Sequence, residues 1–154
     1  MLDWMILPFK RYAEFTGRSR RKEFWSFVLL VTIVYLVIGA IVFGTGASLA
    51  SLAQQADPSN PFAIYSLFFS GTGLLFVLWW LATLIPTIAV SVRRLHDRDM
   101  TGWWYLGFIV ASFIPLVGLI ASIAFLVIMC LPGTPGPNKF GPDPKDPAAV
   151  EVFS

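Results

Sequence analysis

The residues able to pair charges, move protons or bind anions fall into three polar segments of this chain. They are Gly17-Arg18-Ser19-Arg20-Arg21-Lys22-Glu23-Phe24-Trp25, then Arg93-Arg94-Leu95-His96-Asp97, then the Pro/Gly-rich run from Pro132 to Pro144. Lys and Arg beside a membrane surface are each attracted to anionic headgroups by about 1 kcal/mol. Arg18, Arg20, Arg21, Lys22, Arg93 and Arg94 are therefore the candidate headgroup or anionic-ligand site. Positions i and i+4 share a helix face, so Arg93 is expected beside Asp97, with Arg94 and Arg98 as a neighbouring basic pair. Joined to Glu23 or to the basic leader, Arg93 and Asp97 would form a structural latch between the first two segments.

Catalysis finds less support. His96 and Asp97 are adjacent, so on a helix they do not face each other, and neither Ser91 nor any other nucleophile sits in a recognisable motif. One histidine and one cysteine, Cys130, exclude an internal disulfide and any multi-histidine or multi-cysteine metal site. Cys130 ends an apolar run and is expected to be a buried, inert thiol. The third segment is no phosphate loop, since no Gly-Lys-Ser/Thr follows a strand. The expectation is a protein that is not an enzyme, with no cofactor, no metal and no nucleic-acid partner.

Composition decides what must position these groups. Of 154 residues 56% are hydrophobic and 13% charged, against about 45–50% and about 25% in soluble domains. No charge occurs between Phe24 and Ala56, between Pro58 and Val92, or between Met100 and Asn138. A spanning helix takes about 20 apolar residues, so the chain reads as an all-α integral membrane protein. Its expected spans are 24–43, 62–92 and 102–131. Residues 1–144 form a single membrane domain, and 145–154 a mobile tail. Ser19 is placed to cap the first span. Pro8 suits the first turn of a short amphipathic helix through Phe9, Tyr12 and Phe15, ending at Gly17 and lying in the cytoplasmic interface.

Residues 1–23 and 93–99 hold nine of the eleven Lys and Arg residues. The positive-inside rule therefore places both segments in the cytoplasm, and the 44–61 connection outside. The apolar run 24–43 exceeds the about 7–15 residues of a signal h-region, so it reads as an uncleaved anchor. Pro115 leaves two readings of 102–131. One is a single kinked span that puts the tail outside. The other is a hairpin that returns the tail to the cytoplasm, with arms too short to cross. The slightly acidic tail and the short arms favour the single span. No Asp, Glu, Lys, Arg or His lies inside a span, which leaves ion-coupled transport without its usual mark.

The three polar segments in this order, with Gly102-Trp103-Trp104 after the second, resemble the YhaH-type family of small bacterial inner-membrane proteins, domain of unknown function 805. The resemblance covers about Trp4 to Pro144. It implies a bacterial inner-membrane location and supplies no activity. The expected role is a non-enzymatic scaffold or regulatory component engaging anionic membrane lipids, a membrane-protein partner or a second copy through a cytoplasmic basic face. A small oligomeric transporter or channel subunit is the alternative.

Overall fold

The computed structural model describes residues 1–44 and 71–146 of the chain. Among these are five helices and no strand: α1 (Leu2–Lys10), α2 (Arg21–Gly44), α3 (Gly71–His96), α4 (Trp103–Ser112) and α5 (Val117–Cys130). They belong to two compact units, Met1–Val28 with Ile85–Ser154, and Leu29–Leu84. Most of the connection expected outside, the start of the second expected span and the end of the tail lie outside the described residues.

α2 and α3 have 24 and 26 residues, which is about 36 and 39 Å at 1.5 Å per residue. Both are long and apolar enough to cross a membrane. Leu36, Val37, Leu78 and Leu81 are exposed, so apolar side chains point outward, as they do when the solvent is hydrocarbon. β-branched residues fill much of α2, yet a segment in lipid must satisfy its backbone internally, and the helix does so. Within Leu29–Leu84, Tyr35 stacks on Phe76 at 6.2 Å, and Thr83 Oγ1 donates to Trp79 O at 2.8 Å.

α2 begins three residues before the expected Phe24. Ser19 does not cap it; its buried backbone N–H donates to Arg93 O at 3.1 Å instead. α3 runs past the expected end at Val92 to His96, which puts Arg93 and Arg94 on its last turn, where cations favour the helix dipole.

The expected single span over 102–131 is corrected to a helical hairpin. α4 ends at Ser112 and α5 starts at Val117, and between them Leu116 has φ +65°, in the left-handed region. Pro115 has no N–H to continue a helix. Gly118 permits the reversal, because a Cβ there would stand 2.8 Å from Ser112 O. The two arms meet through Phe125, 5.8 Å from Tyr105 and 5.4 Å from Phe108. Both feet of the hairpin return to the end of α3. A Cβ on Gly102 would lie 2.7 Å from Val92 Cγ1, and Met129 O accepts from Arg94 Nε at 3.3 Å.

The leader helix is also displaced. α1 lies ahead of the expected stretch, and Pro8 sits inside it rather than in its first turn. Leu2, Trp4, Met5, Ile6 and Leu7 supply its apolar residues, whereas Tyr12 and Phe15 lie beyond it and are exposed. Met5 and Pro8 are buried, and Phe9 meets Phe27 of α2 edge-on at 5.4 Å.

Candidate functional site

At the end of α3, Arg93 O and His96 O accept from Asp97 N and Asp99 N of the closing turn, and the leader and tail add donors to this same set of carbonyls. Arg93 O accepts from Ser19 N, His96 O from Asn138 Nδ2 at 2.9 Å, and Asp97 O from Thr134 N at 2.8 Å. Asp99, at φ +58°, turns the chain away after the helix. Two backbone segments far apart in sequence are thus joined across one helix terminus.

Asp97 is the centre of the charged cluster. Its Oδ1 receives Arg18 Nε at 3.0 Å and lies 2.9 Å from Arg18 Nη2, while its Oδ2 receives Arg94 Nη1. Arg18 Nη1 and Nη2 then donate to Gly136 O and Thr134 O, each at 2.6 Å. Arg94 donates to Met129 O and Leu131 O, Arg98 to Pro132 O, and Arg20 to Pro144 O. The guanidinium fork carries five donors in a plane, which suits it to gripping several carbonyls at once. The tail is held as a strap by arginines.

Arg93 stands apart from that strap. Its Nη2 lies 3.0 Å from Glu23 Oε1, but the angle makes no hydrogen bond, and Nε and Nη1 have none either. The pair is held by charge rather than by directed bonds. The structure thus brings Glu23 to Arg93, whereas Asp97 pairs with Arg18 and with Arg94 at i,i−3, not with Arg93. Near the leader, Arg11 donates to Glu14 at 2.5 and 2.7 Å. That bond holds the Glu14 carboxyl below its ordinary range and raises Arg11.

The six expected headgroup-binding residues are divided by burial. Arg18, Arg93 and Arg94 are 6%, 0% and 0% exposed and point inward. Tail carbonyls and Asp97 give Arg18 and Arg94 the acceptors that water would otherwise supply, whereas Arg93 has the charge of Glu23 without a hydrogen bond. Arg21 and Lys22 are exposed and Arg20 is half-buried, its guanidinium 5.8 Å above the Trp4 ring. Cys130, expected buried, is exposed at the end of α5, because the last turn buries its neighbour Met129 and leaves Cys130 on the other face.

His96 is committed to structure as well. A carbonyl only accepts, so the ring's Nδ1, 3.1 Å from Gly17 O, carries the hydrogen and donates it. Its ring stacks on Phe140 at 3.9 Å. Among the described residues no group of three His, Cys, Asp or Glu side chains is placed to hold a metal. Gly133, Thr134 and Asn138 were not singled out by their side-chain chemistry in sequence. Their signal was the Pro/Gly-rich segment itself, whose contribution here is mostly backbone.

The family model described as "Protein of unknown function (DUF805)" matches residues 12–142. The chain is 37% identical over 144 residues to Inner membrane protein YhaH of Escherichia coli (strain K12), covering 94% of this chain and 98% of that protein. It is 35% identical over 144 residues to Inner membrane protein YhaI of the same strain, covering 94% and 97%. Uncharacterized protein YiiR, also of that strain, is 30% identical over 151 residues, covering 86% and 87%. No solved structure matches the chain.

Proposed function

The chain belongs to the DUF805 family, and on that premise we propose that it is a non-enzymatic, multi-pass scaffold or regulatory component of the bacterial inner membrane that engages anionic lipid headgroups. The inner-membrane relatives and the two long apolar helices support the location. The basic leader and the end of α3 lie together in one unit, and the positive-inside rule assigns these two basic segments, with the N-terminus, to the cytoplasm. α1 lies in the interface, where exposed Leu2 and Ile6 can enter lipid and Lys10, one turn on along the same face, can reach the headgroups.

One observation carries the headgroup reading. Arg21 and Lys22 are exposed on the first turn of the apolar helix α2, where a spanning helix meets headgroup phosphates. Arg18, Arg93 and Arg94 instead serve as internal struts that hold this face in shape. The absence of catalysis fits the same geometry, since His96 bonds a backbone carbonyl and Asp97 is occupied by two arginines.

The test is lipid retention by purified protein in nanodiscs of mixed phosphatidylglycerol and phosphatidylcholine, read by native mass spectrometry. Wild type is expected to enrich phosphatidylglycerol, and R21Q/K22Q to lose most of that enrichment. The enrichment should fall with salt, since exposed charges are screened over about 8–10 Å at ordinary ionic strength. Equal retention of both lipids, or full enrichment in the double variant, overturns the reading in favour of a protein partner.

A further inference from the structure

The α4–α5 hairpin has an unusual surface for something only 10 and 14 residues long in its two arms. Helices of that length are normally core elements or re-entrant segments, and a core element would be buried. Here Phe113 is 82% and Leu116 78% exposed at the apex, and Leu106, Val110, Leu119, Ile120 and Ile123 are exposed along the arms. No charged residue occurs from Trp103 to Cys130. So continuous an apolar surface on an ordered element needs an apolar covering.

Two further features identify the covering. The polar groups of the hairpin are closed on themselves: Ser112 Oγ donates to Ile109 O at 2.6 Å, and Ser122 Oγ to Gly118 O at 2.8 Å. At the turn, Phe113 N, Ile114 N, Val117 N and Gly118 N all donate to nearby carbonyls, and Ile114, Pro115 and Leu116 carbonyls all accept. Leu116 N apart, the polar backbone of the turn is thus largely closed internally, as a backbone in hydrocarbon requires. The feet, by contrast, are polar and fixed. Met129 O and Leu131 O are held by Arg94, and exposed Trp103 and Trp104 stand at the start of α4, as aromatic anchors do at a membrane interface. The arms are about 15 and 21 Å long, short of a hydrocarbon core about 30 Å thick.

We infer that α4 and α5 form a re-entrant hairpin that inserts into lipid hydrocarbon from the side holding leader and tail, and stops within it. Gly102, just ahead of α4, packs against Val92 of α3, so α4 starts beside the charged end of α3. The occupant of the exposed faces is acyl chain, because the outward side chains are apolar apart from Ser112 and Ser122, whose hydroxyls are bonded back to their own helices, and the feet end in interface residues. The tail returns to the leader because the hairpin never reaches the far side. The inference is independent of any headgroup preference.

Single cysteines in a C130S background test it, with membrane-impermeant maleimide applied to spheroplasts and to inverted vesicles. D3C reports the leader face, K145C the tail and L116C the apex, with I114C as a second apex probe should L116C not accumulate. D3C and K145C are expected to label from one and the same face. The apex thiol is expected to label from neither face until the membrane is dissolved in SDS. Labelling of K145C from the face opposite D3C overturns the inference in favour of one crossing. Apex labelling from the far face shows full crossing, and from the leader face a surface-lying hairpin; either overturns it.

Discussion

Gly133 and Asp97 sit so close that a Cβ on the glycine would stand 2.5 Å from Asp97 Cγ and 2.7 Å from Oδ1. The strap can therefore cross over the buried carboxylate only where it has no side chain. Thr134 follows immediately and bonds the Asp97 carbonyl, so one residue leaves room for the carboxylate and the next anchors to the backbone beneath it.

Gly133→Ala is thus expected to displace the strap or the carboxylate. Overpacking of this kind costs about 1–3 kcal/mol, which a lowered Tm in detergent would register. Gly107→Ala is the control, because nothing lies within 4 Å of a Cβ there and alanine is the better helix former. Equal effects of the two changes would show that the close approach at Gly133 has no energetic weight.

Asp97→Asn removes the charge shared by Arg18 and Arg94 while keeping the shape. Taking one partner from a buried ionic cluster costs about 3–5 kcal/mol, so Tm should fall more than for Arg11→Gln, whose ion pair with Glu14 is part-exposed and worth about 0–1 kcal/mol. Arg18→Lys should also be destabilising, since an ammonium cannot reproduce the planar fork that reaches Asp97, Thr134 and Gly136. An Asp97→Asn protein as stable as Arg11→Gln would place the carboxylate in effective contact with water.

Much of this arrangement was legible in the residues, and the remainder was hidden for identifiable reasons. Charge-free runs declared the apolar helices, and acidic residues among arginines at two helix ends pointed to an ionic cluster. Asp97 was assigned the wrong partner because i±3 and i±4 neighbours share one face, and only tertiary packing selects Arg94. Arg18 reaches it from 79 residues away, a separation no local pattern encodes. The ligands of the arginines were invisible for another reason: Met129, Leu131, Pro132, Thr134, Gly136 and Pro144 all offer backbone oxygens, which every residue has. The hairpin is only the second reading of 102–131 in sequence, because a charge-free run of that length fits one crossing as well, and Leu116 gives no sign of a left-handed backbone.

Asp143 makes the strap sensitive to acid. Its carboxylate accepts from Lys145 N at 2.9 Å and Gly136 N at 3.2 Å. The Lys145 amide above all holds it below the usual carboxylate range; burial opposes this, and the Gly136 amide with the nearby charges of Arg18 and Lys145 adds to the lowering. A depressed folded pKa contributes stability that is present above the unfolded value, about 4 for Asp, and is lost as pH falls through the folded one. Wild type should therefore melt above Asp143→Asn at pH 7, and the difference should shrink as pH is lowered from about 4 downward. A gap in Tm that stays constant over that range would assign the effect of the substitution to something other than the carboxylate charge.

The Glu23–Arg93 pair offers the sharpest contrast, because its attraction is not reinforced by hydrogen bonds. Arg93 is fully buried, and three of its nitrogens lack a hydrogen-bond partner. Desolvating such a pair offsets much of its coulombic gain, so its apolar replacement is often neutral or stabilising, whereas removing one partner strands the other charge. Glu23→Gln alone should lower Tm by the equivalent of about 3–5 kcal/mol. The double change Glu23→Gln with Arg93→Met should recover most of that loss, since the stranded cation is gone and methionine fills the space with a flexible apolar chain. Thermal melts of the two single variants and the double variant in one detergent measure the coupling directly. If the double variant is as unstable as the sum of the singles, each residue acts through contacts of its own. Recovery would identify the ion pair as mutual neutralisation of two buried charges.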